Sequence, residues 1–392
     1  MVCPNFWGEI DMKYFNVLIL TLFLLLLSLS AASAATTTCY RLLNSSQYQE
    51  ALQCYDQALA TNPEDAGAWN GRGYTLHCLG RYPEAIEAYD EALALNPRSA
   101  EVWNNRGLSL EQLERYHEAL QCYNRSLELD PGYVHAWNNK GNVFFDLGEH
   151  GMALQYYNYT LKLDPEYTHA WNNKGNALCE LGRYQEALRY YNHTLELDPG
   201  YIHAWNGMGN ALYGLREYGD ALQYYNHTLK LDPEYTHAWN GKGNALYELG
   251  QNQEALRCYN QTLELDPGYI HAWNGKGNAL YELGQNQEAL RCYNQTLELD
   301  PKYARAWDGK GIVLGELGQY REAMMCIDHA IALDPDLAGA WNNKGVLLHE
   351  IGRYQEAIAC YDRALTIDPG HTLAQNNKKK AQDALVTGNR TV

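Results

Sequence analysis

The sequence has no Cys-x-x-Cys pair, no glycine-rich phosphate loop and no pairing of a nucleophile with a general base. Outside a repeated array that fills most of the chain, no stretch is long enough to form a catalytic domain. These absences argue against thiol redox, phosphoryl and hydrolytic chemistry. The expectation is a protein that is not an enzyme, has no cofactor and holds no metal. Cations are scarce too: 30 Lys and Arg stand against 47 Asp and Glu, a formal net charge of -17. A surface this acidic repels nucleic acid and anionic headgroups, so the expected partners are protein or peptide, neutral to basic.

One long apolar run is present, Phe15 to Leu29, preceded by Lys13 and followed by Ala32-Ser33-Ala34. The small-x-small pattern is that of a secretory cleavage site, with the mature chain starting at Ala35. Residues 1–11 have two acids and no basic residue; Met12-Lys13-Tyr14 makes a better signal start. Kept uncleaved, Val17 to Ala35 is nearly long enough to anchor the chain in a membrane. Either way Lys13 orients the rest of the chain to the outside, secreted or at the cell surface.

Ten cysteines in an exported chain ordinarily announce disulfides. Cys54, Cys122, Cys258, Cys292, Cys326 and Cys360, however, fall at one phase of a repeat. Equivalent points on stacked helices lie about 8–10 Å apart, beyond the reach of a disulfide. Only Cys39, Cys54 and Cys78, crowded near the N-terminus, are placed to pair.

What the sequence has in abundance is repetition. Trp69, Trp103, Trp137, Trp171, Trp205, Trp239, Trp273, Trp307 and Trp341 are spaced by 34 residues, and residues 239–267 are identical to 273–301. In one unit, Ala170, Trp171, Gly175, Leu178 and Leu181 recur at helical steps, ended by Gly182 where a left-handed cap is wanted. Ala187, Leu188, Tyr191, Leu195 and Leu197 mark a second helix, closed by Asp198-Pro199.

The pattern Trp-x-x-x-Gly…Gly-x-Tyr-x-x-Ala…Tyr…Leu…Pro over 34 residues resembles the tetratricopeptide repeat. The resemblance covers residues 66–371 as nine full repeats. Before them lie a signal or anchor at 1–34 and a truncated repeat at 35–65; after them comes a polar capping helix and tail at 372–392, carrying Lys378, Lys379 and Lys380. It implies an all-α, right-handed superhelical solenoid of helix-turn-helix units whose first helices line a concave groove for extended peptide. The family usually has Leu three residues after Trp. This chain has Arg72, Arg106, Lys140, Lys174, Met208, Lys242, Lys276, Lys310 and Lys344, whose stems are expected to cover apolar surface.

Three further columns bear on function. His135, His169, His203, His237 and His271 lie two residues before successive tryptophans, too far apart to share a metal. Asn138/Asn142, Asn172/Asn176, Asn206/Asn210, Asn240/Asn244 and Asn274/Asn278 are pairs four apart on one helix face. The resemblance places that face in the groove, where an amide can grip a peptide unit without reading its side chain. Tyr213, Tyr247 and Tyr281 are expected beside them, with Glu180, Glu248, Glu282 and Glu316 nearby. The chaperone-tail clamp of some members needs Lys where this chain has the Asn after Trp, which argues against that activity.

The third column consists of glycan-acceptor sequons at Asn124, Asn158, Asn192, Asn226, Asn260 and Asn294, with unaligned ones at Asn44 and Asn389. The outer repeats hold Asp56/Ala58, Asp90/Ala92, Asp328/Ala330 and Asp362/Ala364 at the same places, so each sequon differs from them at two positions. The Asn follows the Tyr expected to be buried and should point outward on the convex side. The reading is a non-enzymatic, exported binding scaffold with a glycosylated outer face. The alternatives are an envelope-assembly or secretion accessory, a glycosylated structural spacer with an empty groove, and a specificity subunit for a catalytic partner.

Overall fold

The computed structural model describes residues 36–388. The export signal or anchor and Asn389 lie outside the described residues. Among those described, no strand is present and no helix is long and apolar enough to cross a membrane. The chain divides into two compact units between Leu181 and Gly182. The first holds α1 (36–44), α2 (Tyr48–Thr61), α3 (Ala66–Cys78), α4 (Tyr82–Leu95), α5 (Ala100–Glu111), α6 (Tyr116–Leu129), α7 (Val134–Asp146), α8 (His150–Leu163) and α9 (Thr168–Glu180). The second holds α10 (Tyr184–Leu197), α11 (Ile202–Gly214), α12 (Tyr218–Leu231), α13 (Thr236–Glu248), α14 (Asn252–Leu265), α15 (Ile270–Glu282) and α16 (Asn286–Leu299). It continues through α17 (Ala304–Glu316), α18 (Tyr320–Leu333), α19 (Ala338–Glu350), α20 (Tyr354–Ile367) and α21 (Thr372–Gly388).

Within each unit a helix packs on its sequence neighbours, and first helices also touch the first helices of adjoining hairpins, as α13 touches α11 and α15. The turns recur because their chemistry does. Asp266 Oδ1 accepts from the Gly268 amide at 2.9 Å after α14, a side-chain turn that Pro267 reinforces by ending the helix. The Trp273 indole then donates to the Pro267 carbonyl at 2.9 Å, tying the next helix to the turn. Each first helix ends in a left-handed residue, Gly250 (φ 73°) being one example. Glu114 (φ 58°) and Arg216 (φ 63°) hold the same conformation without being glycine.

Within each unit the core is built on second-helix tyrosines. Tyr55, Tyr89, Tyr123, Tyr157, Tyr191, Tyr225, Tyr259, Tyr293 and Tyr361 are fully buried, and Ile327 takes the remaining place. Burying an aromatic ring of this kind contributes about 1.5–3 kcal/mol. The Tyr225 ring lies between two glycines of consecutive first helices. A Cβ at Gly209 or Gly241 would meet it at 2.6 or 2.7 Å. Glycine at these places is what lets the first helices close on the ring.

The cysteine column is buried and unpaired at Cys122, Cys258, Cys292, Cys326 and Cys360. Burial pushes the Cys258 and Cys292 thiols up to about 11, so they are chemically quiet. Cys54 is the exception: it is bonded to Cys39, Cα to Cα 5.3 Å, and ties α1 to α2, while Cys78 stays free.

Candidate functional site

The first-helix asparagine pairs divide into two sets. Asn138, Asn172, Asn206, Asn240 and Asn274 are 4–8 % exposed, so they are not solvent-facing groove residues. This corrects the expectation that both members of each pair face solvent. The residue after Trp points between neighbouring first helices, where amides of successive repeats meet. Asn139 Nδ2 donates to Asn104 Oδ1 at 2.9 Å, and Asn173 Nδ2 to Asn138 Oδ1 at 3.4 Å.

The second members reach further out. Asn142, Asn176, Asn244 and Asn278 are partly exposed and Asn210 is exposed. Core tyrosine hydroxyls donate to Asn142 Oδ1 (3.1 Å, Tyr157), Asn210 Oδ1 (2.8 Å, Tyr225), Asn244 Oδ1 (2.9 Å, Tyr259) and Asn278 Oδ1 (2.8 Å, Tyr293). The acceptor end of each amide is therefore fixed by the core. At Asn210, Asn244 and Asn278 the Nδ2 group has no partner among the described residues, which leaves two N–H donors on each.

Tyr213, Tyr247 and Tyr281 are half-buried on the same helices. Tyr213 donates to Glu248 Oε1 at 3.5 Å and Tyr281 to Glu316 Oε1 at 2.6 Å, each 35 residues ahead. Burial, then the neighbouring Glu248, pushes the Tyr213 hydroxyl up to about 12; burial, then Glu282, does the same for Tyr247. At the start of the first unit, a cavity of about 770 Å³ opens beside Asn70, Asn105, Tyr74 and Tyr133.

The histidine column is part of a ladder that the sequence reading missed. Nδ1 of His135, His203, His237 and His271 lies 2.8–3.0 Å from the hydroxyl of Tyr167, Tyr235, Tyr269 and Tyr303 respectively. Each of these histidines also stands edge-on to the tyrosine two residues before it, as Tyr235 does to His237 with ring centroids 6.0 Å apart. The signal was available, since a Tyr precedes every His of the column by two residues. Among the described residues no cluster of His, Cys, Asp or Glu is arranged to hold a metal.

On the second helices, Asn124, Asn158, Asn192, Asn226 and Asn294 are exposed, Asn260 partly so, and Asn44 of α1 is exposed. The hydroxyl residue two later is fully buried in all six aligned sequons. Thr160, Thr194, Thr228, Thr262 and Thr296 donate at 3.0 Å to the carbonyl four residues back, whereas Ser126 donates to the Ala100 carbonyl at 2.7 Å. Ala58, Ala92, Ala330 and Ala364, which replace them in the outer repeats, are buried as well.

The basic column packs beside the sequons. Lys242, Lys276 and Lys310 extend over Trp239, Trp273 and Trp307, 5.2–5.3 Å from the ring centroids. Where Asp replaces the sequon Asn, an ion pair forms 16 residues apart, Arg106 to Asp90 at 2.8 Å and Lys344 to Asp328 at 2.7 Å. In a middle repeat Lys140 Nζ instead donates to Asn124 Oδ1 at 2.8 Å.

A tetratricopeptide-repeat family model matches residues 40–100, 78–134 and 104–167, and a second matches 167–234. The model for the cilia and flagella-associated protein 70 C-terminal domain matches 235–373. Nothing among the curated proteins matches significantly. Of solved structures, the Cut9-Hcn1 hetero-tetramer of the APC/C aligns with a TM-score of 0.59 at 17 % identity, over 91 % of this chain and 84 % of that one. YrrB, described as a TPR protein with an unusual peptide-binding site, aligns with a TM-score of 0.36 at 25 % identity, over 48 % of this chain and 97 % of its own.

Proposed function

Since the chain is a tetratricopeptide-repeat protein, built as an all-α array of a kind used generally as a protein-interaction scaffold, we propose that it holds extended peptide segments along its first-helix face. The observation that carries the proposal is the state of Asn210, Asn244 and Asn278. Each has its oxygen held by a buried tyrosine hydroxyl, which leaves paired N–H donors at a regular spacing. Such a row suits the carbonyls of an extended backbone, and Asn142 and Asn176 hold the equivalent places in the first unit. Tyr213, Tyr247 and Tyr281 add flat contact area, and the carboxylates of Glu248, Glu282 and Glu316 favour neutral to basic segments.

The setting proposed is outside the cytoplasm. The Phe15–Leu29 run with its Ala32-Ser33-Ala34 site supports export, and the Cys39–Cys54 disulfide supports an oxidising compartment. The second-helix face then carries glycans at the exposed sequon asparagines. N-terminal sequencing of native protein should begin at Ala35; residues 12–34 found intact would indicate an anchored form.

The binding claim is tested by a peptide-array screen on the secreted full-length protein. Selective capture of a subset of neutral or basic peptides is expected. An array on which nothing is selected supports the spacer reading instead.

A further inference from the structure

The repeat spanning α17 and α18 departs from its neighbours at four places that come together in space. Ile312 stands where the preceding repeats have Asn210, Asn244 and Asn278. Gly315 stands where they have Tyr213, Tyr247 and Tyr281. Ile327 replaces the core tyrosine, and Asp308 replaces the buried asparagine. Ile312, Gly315 and Ile327 line one cavity of about 460 Å³, and Asp308 accepts both of its contacts from Asn343, which lines it too. A Cβ at Gly315 would meet Leu347 Cδ2 at 2.6 Å and little else, so the space left by the missing tyrosine ring is only partly taken up by Leu347.

The chemistry of the lining is one-sided. Ile312, Ile327, Val346 and Leu347 form an apolar wall, and Tyr281 stands at one edge with Tyr320 at another. The only ionisable groups besides the two tyrosines are Glu316 and Glu350. Tyr281 donates to Glu316 Oε1 at 2.6 Å and so holds that carboxylate in place, while Glu350 lies 3.8 Å from His349 Nδ1. One apolar wall facing aromatic edges and two carboxylates, with no Lys or Arg among the lining residues, matches a long aliphatic stem ending in a positive charge.

We propose that this cavity is the anchor pocket of the peptide-binding face and takes one arginine or lysine side chain of the bound segment. The proposal rests on the peptide-binding reading above. The amide row before it grips backbone without reading sequence, so this single pocket supplies the selectivity that the row lacks. The side chain's stem packs on Ile312 and Leu347, and its charge meets Glu316 and Glu350.

The test uses the full secreted chain and a positional-scanning library of otherwise neutral extended peptides with Arg, Lys, Leu, Ala or Glu at each position. One position should prefer Arg or Lys over Ala by about tenfold or more, the scale of one charge-assisted hydrogen bond. The change Glu350→Gln should weaken that preference while leaving the all-Ala peptide bound as before, and adding Glu316→Gln should abolish it. Gly315→Tyr, which restores the residue of the preceding repeats and fills the space, should also abolish the preference. A preference for Leu, or an Arg preference that survives the double change and Gly315→Tyr, overturns the proposal.

Acetyl-arginine N-methylamide serves as a second probe that needs no backbone row. Weak, carboxylate-dependent binding of it, with no peptide captured, would keep the pocket and discard the extended-peptide reading. Peptide capture with no arginine dependence and no binding of the blocked arginine would do the reverse.

Discussion

Asn139 donates its side-chain amide to Asn104, 35 residues earlier, at 2.9 Å. The same bond joins Asn105 to Asn70 at 3.2 Å, Asn343 to Asp308 at 3.0 Å and Asn377 to Asn342 at 3.1 Å. In the second unit Gly241, Gly275 and Gly309 stand where the donor would be, and Oδ1 of Asn206, Asn240 and Asn274 is buried with no partner. One residue choice thus decides whether a repeat interface is satisfied or carries an orphaned oxygen.

The first prediction rests on that contrast. Asn139→Ala strands the buried Asn104 oxygen and should cost about 1–3 kcal/mol, because a desolvated acceptor loses its only donor. Asn240→Ala removes an oxygen that is already stranded and gains helix propensity, so it should cost less than about 0.5 kcal/mol or stabilise. Urea midpoints for the two variants decide it. Equal losses would show that the amide ladder contributes nothing specific.

Arg216 occupies the turn conformation that glycine holds at Gly250, with φ of 63°. Left-handed backbone costs a residue with a Cβ about 1–2 kcal/mol, partly offset by the larger entropy that glycine loses on folding. Arg216→Gly should therefore raise stability by up to about 1 kcal/mol, read as a higher melting temperature. Gly250→Arg should lower it.

Asp308 is the one aspartate in a column of asparagines, and burial pushes its carboxyl up to about 6 from an ordinary 3.8. The acid form is the favoured one in the folded protein. Its contribution is therefore fully present below pH 4, is lost as pH rises toward 6, and stays lost above that. Asp308→Asn keeps the acceptor for Asn343 and removes the charge. The variant should match the parent near pH 4 and exceed it at pH 7 by at most about 3 kcal/mol, less in practice because the carboxylate keeps some solvent contact. A variant less stable at pH 7 than at pH 4, relative to the parent, would contradict this sign.

The sequon threonines make a prediction about timing. In the folded helix the Thr262 hydroxyl is fully buried and bonded to the Cys258 carbonyl, so an enzyme reading Asn-x-Thr cannot reach it. Glycan should appear at Asn158, Asn192 and Asn226 in secreted protein. Folded, unglycosylated protein offered to the transferase afterwards should remain bare, while its denatured form is modified. Because the hydroxyl is satisfied, Thr262→Ala should shift stability by less than about 1 kcal/mol, its lost packing offset by helix propensity.

Much of the fold was legible because the repeat is enforced by backbone chemistry at a few residues. Pro267 must end a helix, Gly250 accepts a left-handed turn, and Trp273 recurs because its ring is tied to the proline carbonyl. The site was less legible. Asn240 and Asn244 are both asparagines on one helix, four residues apart, yet one is buried and the other partly exposed. Which amide reaches solvent depends on how closely neighbouring first helices pack, and the seating of Tyr225 between Gly209 and Gly241 is part of that packing. The pairing of His237 with Tyr269, 32 residues away, likewise depends on the offset between stacked helices; the Tyr-x-His spacing marks the residues but not their partners.

The central claim, that the partly exposed amides grip peptide backbone, is tested by titrating an array-selected peptide into the parent and into a triple variant, Asn210→Ala, Asn244→Ala and Asn278→Ala. Three lost hydrogen bonds at about 0.5–1.5 kcal/mol each predict a drop in affinity of at least about tenfold, with the helical circular dichroism unchanged. The same affinity in both proteins would contradict the account, since the row of free N–H donors would then play no part in binding.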